Sequence, residues 1–154
     1  MRQWVYQFTT DPPKGLKPDV SPDKFPDIDS NLFATPILIV EDESMIAWMI
    51  VNILEEAGFE AVAVAANGAQ ALEEARVRAP RLVVSDVNLG KGADGVETAL
   101  AICKCQPAPV IFVTGYADDS MRQRIADTLP RAQILRKPVD PGALTRAVLR
   151  AIAH

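Results

Sequence analysis

A lone carboxylate at the end of an apolar run is the residue of this 154-residue chain best placed to do chemistry. In Val83-Val84-Ser85-Asp86-Val87-Asn88-Leu89-Gly90, a strand-like stretch delivers Asp86 into a polar turn closed by glycine. Three other apolar runs end in the same manner. Ile39-Val40 ends on Glu41-Asp42, Phe112-Val113 on Thr114-Gly115, and Ile134-Leu135-Arg136 on Lys137-Pro138. In open parallel α/β sheets, ligands bind at the carboxyl ends of the strands. If these four runs are parallel neighbours, Glu41, Asp42, Asp86, Thr114 and Lys137 converge at one sheet edge.

Three carboxylates brought together repel one another. At ~4 Å and an effective dielectric of ~20, each pair costs on the order of 4 kcal/mol. A cation removes that cost. All-oxygen donors with an open side suit Mg2+, which keeps part of its water shell and shares it with phosphate oxygens. A backbone carbonyl near Asn88 would complete the protein's share. No His or Cys stands close in sequence, which argues against zinc. Lys137 adds a mobile positive charge suited to a phosphoryl group, and Thr114 adds a hydroxyl. This set describes phosphoryl transfer to an aspartate, with Asp86 as nucleophile.

The elements that would position these residues follow from periodicity and punctuation. Strands are expected at 37–41, 60–66, 81–85, 110–113 and 132–135, and helices at 44–57, 67–78, 96–104, 118–129 and 141–153. Gly58 stops the first helix, Asn67 caps the second, Asp118 or Asp119 caps the fourth, and Asp140-Pro141 opens the last. Strict alternation of strand and helix implies a parallel sheet covered on both faces.

Composition narrows the function classes. An apolar share of 49% and a net charge of −4 describe an ordinary globular chain without a basic footprint, so no nucleic-acid partner is expected. No apolar run reaches the ~20 residues of a membrane span, and a cytoplasmic location is expected. Cys103 and Cys105 point different ways on a helix and are expected as free thiols. Residues 1–36 form a separate Pro-rich extension holding six of the twelve prolines. Trp4, Tyr6 and Phe8 alternate there, and with Phe25, Leu32 and Phe33 they would anchor it to a folded surface.

Residues 37–153 resemble a response-regulator receiver domain of two-component signalling. The pieces are Val40-Glu41-Asp42-Glu43, Ser85-Asp86-Val87-Asn88-Leu89, Val113-Thr114-Gly115-Tyr116 and Lys137-Pro138, in this order and each at a strand end. The resemblance implies a flavodoxin-like (βα)5 fold over residues 37–154, with sheet order 2-1-3-4-5. It implies Asp86 as phosphoacceptor, with Asp42 as direct Mg2+ ligand and Glu41 acting through metal-bound water. Thr114 and Lys137 would contact the phosphoryl group, and the Lys137-Pro138 bond would be cis. A sensor histidine kinase or a histidine phosphotransfer protein would be the donor. Ile134 stands where the family carries an aromatic switch residue, so Tyr116, two after Thr114, is expected to report the state of Thr114. The chain closes on its fifth helix, which reads as a stand-alone receiver acting as switch, relay or phosphate sink. The alternative is a degenerate receiver that only binds protein. A phosphatase of the haloacid-dehalogenase type fits less well, because its nucleophile lies on the first strand and a second Asp occupies the place of Asn88. No P-loop motif occurs.

The first helix has two expected faces. Ile46, Met49, Ile50, Ile53, Leu54 and Ala57 share the side meant for the sheet, and Trp48 and Val51 lie opposite as a partner surface. That surface meets either the phosphodonor or the aromatic segment Trp4-Val5-Tyr6-Gln7-Phe8, from the same chain or from a second copy in a homodimer.

Overall fold

Pro36 directly precedes the apolar run Ile37–Val40, Pro80-Arg81 precedes Leu82-Val83-Val84-Ser85, and both runs become buried strands. The computed structural model describes residues 30–90 and 92–153. Within them the strands are β1 (Ile37–Val40), β2 (Val62–Ala65), β3 (Leu82–Ser85), β4 (Val110–Thr114) and β5 (Gln133–Arg136). The helices are α1 (Ser44–Glu56), α2 (Gly68–Arg78), α3 (Gly95–Cys105), α4 (Asp119–Thr128) and α5 (Pro141–Ile152). One parallel sheet of order β2-β1-β3-β4-β5 results, the flavodoxin-like order expected from the sequence. The second strand is shorter at both ends than expected.

Each strand sends alternate side chains to opposite faces, which is why the central runs are apolar throughout. Ile37, Ile39, Leu82, Val84, Ile111 and Val113 face α1 and α5. Leu38, Val40, Val83, Val110 and Phe112 face α2, α3 and α4. Helix starts are fixed by side-chain caps. Asn67 Oδ1 accepts from the Gln70 amide at 2.9 Å, and Gln70 Oε1 accepts from the amide of Ala66, the residue before the cap, at 3.0 Å. Asp118 and Asp140 cap α4 and α5 through the amides of Met121 and Ala143. Gly58 ends α1 with φ of +107°, a conformation that favours glycine.

A 3-10 turn, Ser30–Ala34, lies ahead of β1. The Phe33 ring packs on Gly58 and meets Phe59 at a centroid distance of 5.4 Å, while its carbonyl accepts from the Glu60 amide at 3.0 Å. Residues just before position 37 therefore pack against the same core. Trp4, Tyr6, Phe8 and Phe25 lie outside the described residues, and with them the alternative in which residues 4–8 meet Trp48.

The faces of α1 need correction. Its buried residues are Ala47, Ile50, Val51, Ile53 and Leu54. Val51 is 1% exposed, so it is core and not partner surface. Met49, expected against the sheet, is exposed. The cause is the second neighbour of the helix. α1 packs on α5 as well as on the sheet, and Val51 joins the cluster that holds Leu144, Ala147 and Val148. The covered arc turns toward Ala47 and Val51. Met45, Trp48 and Met49 are left as the exposed apolar group, with Trp48 at 56% and Met45 at 85%.

Candidate functional site

The sheet ladder runs one residue past its strands, and that extra step sets the site. The Asp86 amide donates to the Val40 carbonyl at 2.9 Å, the Glu41 amide to Ala65 at 3.0 Å, and the Lys137 amide to Thr114 at 2.8 Å. Glu41, Asp86 and Lys137 are thus held at their backbones by the neighbouring strand before any side chain is considered.

Their side chains then converge. The Lys137 ammonium donates to Asp86 Oδ2 and to Glu41 Oε2, both at 3.0 Å. Glu41 is almost fully buried, and its other oxygen accepts from the Glu43 amide at 3.2 Å. Burial pushes the Glu41 carboxyl up to about 7, against the opposing pull of the Lys137 hydrogen bond. Burial pushes the Lys137 ammonium down, but its bonds to Asp86 and Glu41 outweigh this and hold it above its ordinary value. Asp86 Oδ1 accepts from the Asn88 amide at 3.2 Å, which folds the loop back over the carboxylate.

Oxygens of Glu41, Asp42 and Asp86 lie within 4.8 Å of one another. Asp42 and Asn88 are exposed, so the group opens to solvent on one side. Three carboxylates, an open side and no nitrogen or sulfur donor among the clustered residues fit a hard divalent cation. Gly90, with φ of +69°, brings the turn close to Asp42, where an added Cβ would stand 3.4 Å from Oδ2.

Thr114 is buried at the end of β4, but its hydroxyl is turned into the following loop. It donates to the Tyr116 carbonyl at 3.0 Å and accepts from the Tyr116 amide at 3.4 Å. The Tyr116 ring is 69% exposed. Ile134 of β5 pairs with Phe112 of β4 and packs partly against the core cluster that holds Ile125 of α4. The Lys137-Pro138 bond is cis, as expected.

Three participants were not anticipated. The Ser85 hydroxyl donates to the Asp86 carbonyl at 2.8 Å. Gly95, first residue of α3, lies so close to that carbonyl that an added Cβ would meet the oxygen at 1.7 Å. Asp94 caps α3 through the Glu97 amide at 2.9 Å and also pairs with Arg124 of α4, at 2.6 Å from Oδ2 to Nη1. The sequence offered a signal for the cap, an Asp just ahead of a helical run. It offered none for a partner thirty residues away.

Residues 37–149 match the sequence profile of the response regulator receiver domain. The chain belongs to that family. The receiver is 31% identical over 118 residues to the transcriptional regulatory protein PdtaR of Mycobacterium tuberculosis, covering 77% of this chain and 57% of PdtaR. It is similar in structure to the receiver domain of a modulated diguanylate cyclase from Desulfovibrio desulfuricans, with a TM-score of 0.71 and 32% identity over 78% of this chain and 94% of that one. The chemotaxis protein CheY4 of Vibrio cholerae gives a TM-score of 0.71 at 26% identity, over 77% and 98% of the two chains. The receiver spans about half the length of the curated relatives it matches. Among its described residues, no helix is long and apolar enough to cross a membrane.

Proposed function

We propose that this receiver takes a phosphoryl group onto Asp86 from a phosphohistidine of a kinase or phosphotransfer protein, in a Mg2+-dependent reaction. The observation that carries this reading is the Asp86 carboxylate, bonded to the Lys137 ammonium and grouped with two further carboxylates. Asp86 and Asp42 would hold the cation with the backbone carbonyl of Asn88, and Glu41 would act through its bound water. Bound there, Mg2+ neutralises charge on the phosphoryl oxygens.

The chain's own residues do the rest. An Asp86 oxygen attacks phosphorus as the P–N bond of the donor breaks. The imidazole leaves with the bonding electron pair and takes a proton from solvent, and an aspartyl-phosphate remains. Lys137, already bonded to Asp86, turns its charge to the arriving oxygens. The Thr114 hydroxyl breaks its bond to the Tyr116 carbonyl to donate to the phosphoryl group, so the Tyr116 loop responds to the state of Asp86. The exposed Met45, Trp48 and Met49, on the helix that begins beside Asp42, receive the donor protein. With Asp86 as acceptor the receiver acts as a signalling switch, a relay or a phosphate sink.

Incubation with acetyl phosphate and Mg2+ is expected to add one phosphate by intact mass, and EDTA or Asp86→Asn to abolish it. Undiminished labelling of Asp86→Asn would overturn the assignment.

A further inference from the structure

We infer that the Asp94–Arg124 ion pair couples α4 to the loop that carries Asp86, so that α4 reads the state of the phosphoacceptor through the N-terminus of α3. This rests on the proposed role of Asp86 and adds the route by which its modification is transmitted.

The first link is contact. The Asp86 carbonyl touches Gly95, leaving no room for a Cβ, and the Ser85 hydroxyl is bonded to the same oxygen. The Gly95 amide donates to the Val87 carbonyl at 2.7 Å. Any reorientation of the Asp86 peptide therefore moves the first turn of α3, because close-packed groups transmit displacement instead of absorbing it.

The second link is the dual use of one carboxylate. Asp94 Oδ1 accepts from the Glu97 amide and, at 3.2 Å, from Arg124 Nη2, while Oδ2 accepts from Arg124 Nη1 at 2.6 Å. A two-point guanidinium–carboxylate pair fixes direction as well as distance. Glu97 stands 3.8 Å from the same guanidinium and adds charge without displacing Asp94.

The third link is the weak hold on α4 from elsewhere. Its only buried residue is Ile125, with Met121 and Leu129 partly packed against the core. Ile134, partly packed against the same core cluster as Ile125, has no polar group to bond Thr114. The Thr114 hydroxyl is engaged with the Tyr116 backbone, and its loop leads to the start of α4. The ion pair is thus a directional tie between α4 and the phosphoacceptor loop, and α4 is an element whose position it can bias.

The test is amide NMR of the full chain in Mg2+, with and without beryllium fluoride as phosphoryl analogue. Asp94→Asn keeps the side-chain oxygen that caps α3 but removes its charge, and Arg124→Gln leaves the cap untouched. In the wild type, amides of residues 86–95 and 119–128 are expected to shift together. In either variant the 86–95 shifts persist and the analogue-induced shifts of α4 fall by at least half. A purely structural role would move α4 amides before the analogue is added and leave the induced change intact, which overturns the coupling. No response at residues 86–95 in the wild type overturns the phosphoacceptor reading and the coupling with it. If Asp94→Asn loses amide dispersion, Arg124→Gln alone decides.

Discussion

The ammonium of Lys137 stands 3.0 Å from an oxygen of Asp86 and 3.0 Å from an oxygen of Glu41, although Glu41 lies 96 residues away in the chain. One cation at the end of β5 therefore holds two carboxylates at the ends of β1 and β3. Side-chain exposures of 16%, 1% and 7% for Lys137, Glu41 and Asp86 place the trio out of bulk water, where an unmatched charge is costly.

Lys137→Met is expected to lower stability in metal-free buffer by about 1–3 kcal/mol, less than for a fully buried pair because Glu41 can take up a proton. Urea denaturation measures this. Labelling by acetyl phosphate should slow by roughly 10²-fold, the cost of losing one charge-stabilising donor. An unchanged labelling rate would remove Lys137 from the chemistry.

Gly95→Ala tests the packing under Asp86. The new methyl would collide with a backbone oxygen that cannot rotate away. Destabilisation of about 3 kcal/mol or more is expected, with reduced labelling in whatever folds. Wild-type stability in this variant would show that the loop can yield.

The Asp94 carboxyl gives the acid limb of stability a definite sign. Burial raises it, but the hydrogen bonds from Arg124 and from the Glu97 amide outweigh burial and hold it below the usual carboxylate range. In the unfolded chain it titrates near ~3.9. Its contribution is complete above that value and is lost as pH falls through the lower folded value. Both partners are about a third exposed, so screening limits the effect to under about 1 kcal/mol. Denaturation of the wild type and Asp94→Asn between about pH 6 and pH 2.5 should show the wild type losing more stability on acidification. Parallel curves would contradict this.

Neighbouring residues of α1 should behave oppositely. Val51→Ala removes buried methyls and is expected to cost about 2 kcal/mol. Trp48→Ala should change stability by under about 1 kcal/mol yet slow transfer from a phosphohistidine donor by roughly tenfold, a loss of about 1.4 kcal/mol in docking. Labelling by acetyl phosphate, which needs no protein surface, should be unchanged. Equal slowing with both donors would assign Trp48 to the chemistry and not to docking.

The sequence by itself determined the alternation of strand and helix, the caps at Asn67 and Asp140, the choice of Asp118 or Asp119 for the cap of α4, and the group Glu41, Asp42, Asp86 and Lys137. These are local signals. An apolar run that stops at a charge marks a buried strand meeting the loop, and a cap residue must precede its helix by a fixed step. Only the tertiary structure decided the rest. Val51 is core and Met49 is exposed because α5 covers one flank of α1, and helical periodicity gives a face its width but not the neighbour that closes over it. The Thr114 hydroxyl turns to the Tyr116 backbone because the loop after β4 folds back on it. Asp94 meets Arg124 because α3 and α4 pack side by side on one face of the sheet, and Gly95 meets the Asp86 carbonyl because the loop after β3 turns back against the start of α3. The packing of α5 on α1 and of α4 on α3 depends on distances between elements far apart in the chain, and the contacts of Thr114 and Gly95 depend on the backbone path of a loop, neither of which composition and spacing encode.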